Sequence, residues 1–105
     1  MRFHPLDRLI NLHDNYLRVF KIDNLQLLLT QRLGELFILE ANCPHRGHPL
    51  DQANIQEGIL QCALHQYQFS IEDGQLLHAT EEPCRALRTF QVVYEGSEIG
   101  VMLDD

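Results

Sequence analysis

The length of 105 residues predicts a single domain over residues 1–105. Hydrophobic residues make up 45% of the sequence, as in ordinary soluble proteins, and no apolar run approaches the roughly eighteen residues that a membrane helix needs. The formal net charge is -7 with Lys21 as the single lysine, which excludes nucleic acid and anionic membrane surfaces as expected partners, because both select clustered Lys and Arg.

Short β-strands separated by turn signals follow one another along the chain. We predict strands over residues 2–6, 16–22, 25–31, 35–40, 59–61, 66–71, 75–77, 87–94 and 98–103, with a helical turn over 7–10 and a loop over 79–85. Strands at this spacing predict an all-β, mainly antiparallel fold, a small sandwich or barrel interrupted by one inserted pair of loops.

The cysteine usage favours a reducing environment. Three cysteines, two of which lie close to histidines, do not make a disulfide framework. Residues 1–7 also lack the apolar stretch and the small-residue cleavage site of a secretory signal. We therefore expect a cytoplasmic location.

Two short segments each carry one cysteine and one histidine. Cys43 and His45 form a Cys-x-His pair, Cys62 and His65 form a Cys-x-x-His pair, and sixteen residues separate the two pairs. Thiolate and imidazole are the donors that zinc, copper and iron–sulfur centres recruit in proteins. The sequence therefore predicts a metal site made of these four side chains.

Two kinds of centre fit this donor set. A structural zinc could take two thiolates and two imidazoles, which would make the chain a zinc-stabilised interaction domain without redox activity. A 2Fe-2S cluster could take both thiolates on one iron and both imidazoles on the other. Because each segment mixes the two donor types, and no helix-period pattern carries the histidines, the spacing favours the dinuclear cluster.

The residues Cys43-Pro44-His45-Arg46-Gly47, followed by Cys62, His65 and Phe69, resemble the Rieske iron–sulfur domain. The resemblance is to the small soluble Rieske-type ferredoxins of ring-hydroxylating oxygenases, and the small subunit of nitrite reductase is similar. It implies a Rieske-type β scaffold with an inserted cluster-binding subdomain at about residues 42–70. It also implies one 2Fe-2S cluster, with Cys43 and Cys62 on one iron and His45 and His65 on the other.

Several positions depart from related patterns. His48 and Leu64 stand where the membrane-bound respiratory Rieske proteins have two further cysteines, so their disulfide cannot form here. Tyr67 and Phe69 replace the Ser and Tyr whose hydroxyls raise the potential of those proteins, which predicts a low potential. Gln66 replaces a usual Gly, and a positive φ there would cost roughly 1 kcal/mol.

The resemblance implies a one-electron carrier rather than an enzyme. We expect it to take electrons from a flavin reductase and pass them to a terminal oxygenase or reductase, and the sequence offers no nucleophile–base pair or dinucleotide-binding loop. A tightly bound Rieske subunit of a nitrite reductase-like enzyme is the alternative within the family.

Five further positions carry smaller expectations. Gly47 is expected in a left-handed or closely approached turn, and His48 on the exposed surface. Cys84 is expected to be a free loop thiol or buried filler rather than a ligand. Glu81 and Glu82 are expected to form a solvated acidic pair.

Overall fold

Turns rich in Gly, Asn and Asp divide the chain into short antiparallel strands, as the sequence predicts. The protein is described here from a computed structural model, which describes residues 1–63 and 65–104. Over these residues the elements are a 3-10 helix at Leu9–Asn11 and the strands β1 (Arg2–Arg8), β2 (Leu17–Ile22), β3 (Leu25–Arg32), β4 (Glu35–Glu40), β5 (Asn54–Gln56), β6 (Ile59–Gln61), β7 (Gln68–Ser70), β8 (Leu76–His78), β9 (Thr89–Phe90), β10 (Val93–Glu95) and β11 (Glu98–Leu103). No helix within 1–63 and 65–104 is long and apolar enough to cross a membrane.

The strands form three sheets. Their orders are β1-β11-β10, β2-β3-β4-β9 and β5-β6-β7-β8, and the strand pairings within them are antiparallel. The first two sheets make the scaffold, and the third lies between β4 and β9 in sequence as an insertion. The predicted all-β antiparallel fold with an inserted loop-bearing subdomain is confirmed.

Strand β3 contributes to two separate cores because successive side chains of a strand point to opposite faces. Leu27 and Leu29 pack with Ile99 and Val101 of β11. Leu28 packs on the other face, in a second core that also contains both cysteines of the predicted site. The buried members of this second core are Leu28, Leu39, Ala41, Cys43, Leu50, Ile55, Leu60, Cys62, Tyr67, Phe69, Ile71 and Leu87. The insertion is thereby anchored to the scaffold through apolar packing.

The predicted strand over residues 87–94 is wrong as a single element. Thr89–Phe90 pairs with β4, whereas Val93–Glu95 pairs with β11 in a different sheet. Phe90 and Val92 both pack against the same apolar cluster, so the chain crosses from one sheet to the other without leaving the core. The apolar pattern continues through the crossing, so the sequence predicts one strand where there are two.

Candidate metal centre

The first Cys-His loop is closed by its own backbone. The Cys43 N–H donates to the His48 carbonyl at 2.8 Å, and the Gly47 N–H donates to the Cys43 carbonyl at 2.7 Å. Gly47 adopts φ +69°, and a Cβ there would meet no atom within 4 Å. The expectation of a left-handed turn is confirmed, and the reason for glycine is conformation rather than close approach.

The second loop closes in a similar way. The Cys62 N–H donates to the Tyr67 carbonyl at 2.9 Å. His65 and Gln66 adopt φ of 64° and 57° and reverse the chain between them. Gln66 therefore has the positive φ that is costly for a residue with a Cβ, and β7 begins at Gln68, two residues after the predicted start. Leu64 lies outside the described residues.

The two loops bring the thiols together in the interior. Cys43 and Cys62 are 2% and 1% exposed, and both belong to the same buried core. Burial raises the pKa of Cys43, backbone N–H groups of His45 and Arg46 that donate to the thiol oppose this, and the Cys62 thiol adds to the rise. Metal binding would have to deprotonate this buried thiol pair against the raised pKa of Cys43.

The two imidazoles meet nearer the surface. The ring centroids of His45 and His65 lie 5.2 Å apart with the rings almost perpendicular, and the side chains are 9% and 35% exposed. The His45 ring stacks on the buried Tyr67 ring at 4.2 Å, with 13° between the planes. This stack fixes the orientation of His45, while His65 keeps an open edge.

The donors fit a 2Fe-2S cluster in kind and in arrangement. All four predicted residues are brought to one place, as a buried thiol pair and a more exposed imidazole pair. Among residues 1–63 and 65–104, no three His, Cys, Asp or Glu side chains surround one metal-ion position. A Rieske cluster takes two cysteines on one iron and two histidines on the other, which corresponds to these two pairs.

The hydroxyl of Tyr67 is directed to the backbone. It donates to the carbonyl oxygen of Glu82, and desolvation raises the pKa of Tyr67. Phe69, which has no hydroxyl, is fully buried in the adjoining core. Neither position therefore offers a hydroxyl donor to cluster sulfur, as the low-potential expectation requires.

Three neighbouring residues complete the site. His48 is half-buried rather than exposed as expected, and its backbone carbonyl closes the first loop. Cys84 is a free, half-buried thiol packed against the cysteine-containing core, as expected of a loop thiol. Glu81 is not simply solvated, since its carboxylate lies 3.2 Å from a ring nitrogen of each histidine, His45 and His65. Nothing in the sequence spacing indicates this contact.

Comparison with known proteins identifies the class. The family model described as the Rieske [2Fe-2S] domain matches residues 3–91. The chain therefore belongs to the Rieske [2Fe-2S] domain family. It is a Rieske electron carrier that holds one 2Fe-2S cluster, as the sequence predicts, and the zinc alternative is disfavoured.

Particular relatives are ferredoxin components of oxygenase systems. The alkene monooxygenase ferredoxin component of Xanthobacter autotrophicus is 29% identical over 90 residues, which are 85% of this chain and 71% of that protein. The biphenyl 2,3-dioxygenase ferredoxin component of Rhodococcus jostii is 32% identical over 72 residues, 68% of this chain and 64% of that protein.

The fold also has a counterpart of similar size among solved structures. The ferredoxin of carbazole 1,9a-dioxygenase from Nocardioides aromaticivorans IC177 superimposes with a TM-score of 0.82 at 23% identity. The match covers 96% of this chain and 97% of that one. The Rieske-type scaffold that the sequence predicts is confirmed.

Proposed function

We propose that the protein is the ferredoxin component of an oxygenase system. In this role it accepts one electron at a time from a flavin reductase and delivers it to a terminal oxygenase, and it performs no reaction on the substrate itself. The observation that carries the proposal is a buried thiol pair beneath a more exposed imidazole pair on a scaffold of ferredoxin size. The names of the relatives favour an oxygenase system over the nitrite reductase-like alternative.

We assign the cluster ligands residue by residue. Cys43 and Cys62 bind the inner iron, because their thiols are buried and adjacent. His45 and His65 bind the outer iron, because their rings meet nearer the surface. The bound cluster supplies the uptake and release of one electron. The 35%-exposed His65 edge then offers the shorter route for electron transfer to a docked partner.

The whole chain serves this one site. Residues 1–105 act as a single domain, since the insertion shares its core with Leu28 and Leu39 of the scaffold. Cysteines without a disulfide among them, Cys43, Cys62 and Cys84, suit the reducing cytoplasm, which is where we place the carrier. The net charge of -7 favours docking on a basic surface of the partner.

Ligand substitution tests the assignment. Cys43→Ser, Cys62→Ser, His45→Ala and His65→Ala are each expected to lower iron and acid-labile sulfide per chain, whereas the control His78→Ala is expected to retain both. His78 is an exposed residue of β8, in the inserted sheet β5-β6-β7-β8. Full cluster content in any of the four ligand variants would contradict the assignment of that residue.

Electron transfer tests the carrier role. The loaded protein should be reduced by NADH in the presence of an oxygenase-system flavin reductase, and then reoxidised by a terminal oxygenase. Reduction that occurs only inside a stable complex with a sirohaem enzyme would instead support the nitrite reductase-like alternative.

The surroundings of the cluster imply a low midpoint potential. The Tyr67 hydroxyl donates to the Glu82 carbonyl, and Phe69 has no hydroxyl. With fewer donors to stabilise the added negative charge, we expect a midpoint near the low end of the Rieske range, about -150 mV. A redox titration of the loaded protein followed by visible absorption measures it, and a clearly positive midpoint would contradict this reasoning.

A further inference from the structure

The side chain of Tyr67 reaches from the buried interior to the loop of residues 79–85. Its ring is 0% exposed and lies in the core that also contains Cys43 and Cys62. Its hydroxyl donates a hydrogen bond to the backbone carbonyl of Glu82, fifteen residues further along the chain. Its own backbone carbonyl accepts a hydrogen bond from the Cys62 N–H at 2.9 Å. Tyr67 therefore joins the second Cys-His loop to the 79–85 loop.

The 79–85 loop lies mostly at the surface. Five of its seven residues are exposed, and the half-buried Ala79 and Cys84 pack against the cysteine-containing core. A segment with so few buried apolar groups opens locally at a lower free-energy cost than the strands of a core. Hydrogen bonds that fasten the loop to buried parts of the protein therefore decide how often it opens.

Side-chain hydrogen bonds hold this loop at its two ends and in its middle. Near its start the Thr80 hydroxyl donates to the His65 carbonyl, and at its end the Arg85 guanidinium donates to the Glu40 carboxylate at 2.9 Å. Both pairs are exposed, so water competes for each partner. The bond to Glu82 in the middle differs, because its donor is the hydroxyl of a fully buried ring.

We propose that Tyr67 is a positioning residue whose hydroxyl keeps the 79–85 loop closed over the cluster. The proposal rests on the proposed ligation of the cluster by Cys43 and Cys62. Cys84 of the loop packs against the core that holds these two thiols, which are 2% and 1% exposed with the loop in place. The closed loop therefore keeps water and chelators away from the iron that the thiols bind, and each opening admits them. Tyr67 thus sets how long the protein retains its cluster.

Tyr67→Phe tests the hydroxyl alone, because the variant keeps the ring and its stack on His45. Without the hydroxyl, the Glu82 carbonyl loses its protein donor and gains a partner from water when the loop opens. We expect the open population to rise about three- to tenfold, the effect of one ordinary hydrogen bond. Tyr94→Phe is the matched control, since it makes the same change at a side chain that is 60% exposed on β10, in the sheet β1-β11-β10.

Three measurements on the cluster-loaded proteins carry the test. Loss of the cluster to excess iron chelator, followed by visible absorption, should be about three- to tenfold faster in Tyr67→Phe than in wild type. Alkylation of Cys84, followed by mass spectrometry under native conditions, should be faster by about twofold or more, because the thiol lies on the loop that opens. The EPR spectrum of the reduced protein should be unchanged. Tyr94→Phe should match wild type in all three.

The outcomes distinguish this proposal from the ligand assignment. An unchanged rate of cluster loss or of Cys84 alkylation in Tyr67→Phe would overturn the role of the hydroxyl and leave the ligands as assigned. The same holds for faster loss with an altered EPR spectrum, because the surroundings of the irons rather than their cover would then have changed, and for equally fast loss in Tyr94→Phe. The ligand assignment fails on a different result, a full cluster in Cys43→Ser or Cys62→Ser.

Discussion

The joint between Gly74 and Leu87 connects the cluster-bearing sheet to the segment that returns to the scaffold. The Leu87 N–H donates to the Gly74 carbonyl at 2.8 Å, and the Gly74 N–H donates to the Ser70 carbonyl at 2.8 Å. Gly74 adopts φ +76°, and a Cβ there would lie 2.0 Å from the Leu87 carbonyl oxygen. Since backbone atoms cannot yield as a flexible side chain can, Gly74→Ala must displace the Leu87 segment.

The cost of Gly74→Ala has three parts. The left-handed conformation costs a residue with a Cβ about 1–2 kcal/mol. Displacement of packed atoms adds about 1–3 kcal/mol, and a weakened hydrogen bond to Leu87 adds about 1 kcal/mol. The last two parts belong to the close approach alone, and together they amount to about 2–4 kcal/mol.

Gly34→Ala is the matched control. Gly34 adopts φ +78°, almost the value at Gly74, but a Cβ there would meet no atom within 4 Å. It therefore bears the conformational cost without the clash. Urea unfolding of the loaded proteins, followed by far-UV circular dichroism, should show Gly74→Ala about 2–4 kcal/mol less stable than Gly34→Ala. Equal free energies of unfolding would refute the close approach.

Further predictions concern three other positions. Gln66→Gly should leave the free energy of unfolding unchanged or raise it by up to about 0.5 kcal/mol, because relief of the left-handed strain slightly exceeds the added freedom of the unfolded chain; a loss of 1 kcal/mol or more would contradict this. Burial raises the pKa of Glu40, but the Arg85 guanidinium at 2.9 Å and the Arg88 N–H at 2.8 Å outweigh it and hold the pKa below its usual value. Glu40 therefore stabilises the fold above its unfolded-state pKa and ceases to do so as pH falls through its folded-state pKa. Glu40→Gln should lower the free energy of unfolding by about 1 kcal/mol at neutral pH and leave it unchanged in strong acid. A difference between the two proteins that does not vary with pH in urea titrations would contradict this. Cys84→Ser should keep full iron and sulfide, and loss of either would make Cys84 a ligand.

Local chemistry made the candidate site predictable from the sequence. Donor type and spacing identify Cys43, His45, Cys62 and His65 as candidate ligands, and the fold brings all four together. The same holds for Gly47, whose left-handed turn follows from the lack of a Cβ. Such features depend on a few consecutive residues, so the sequence carries them directly.

Contacts between distant segments were not predictable in this way. The apolar pattern through Phe90 and Val92 runs unbroken, although the chain changes sheets between Phe90 and Val93, because both sheets border the same core. The contact of Glu81 with the histidines depends on how the loop over residues 79–85 folds back, and that path is set by Tyr67 and Thr80. No spacing rule links residues that meet only through tertiary packing.

Nitrogen couplings in the reduced protein test the cluster ligation most directly. Protein purified with its cluster, reduced with dithionite and labelled with ¹⁵N-histidine, is measured by pulsed EPR. We expect the signal of a 2Fe-2S centre with couplings to two directly bound nitrogens that change with the label, as ligation by His45 and His65 requires. A centre without bound histidine nitrogen, or a colourless protein that holds zinc and no acid-labile sulfide, would contradict it.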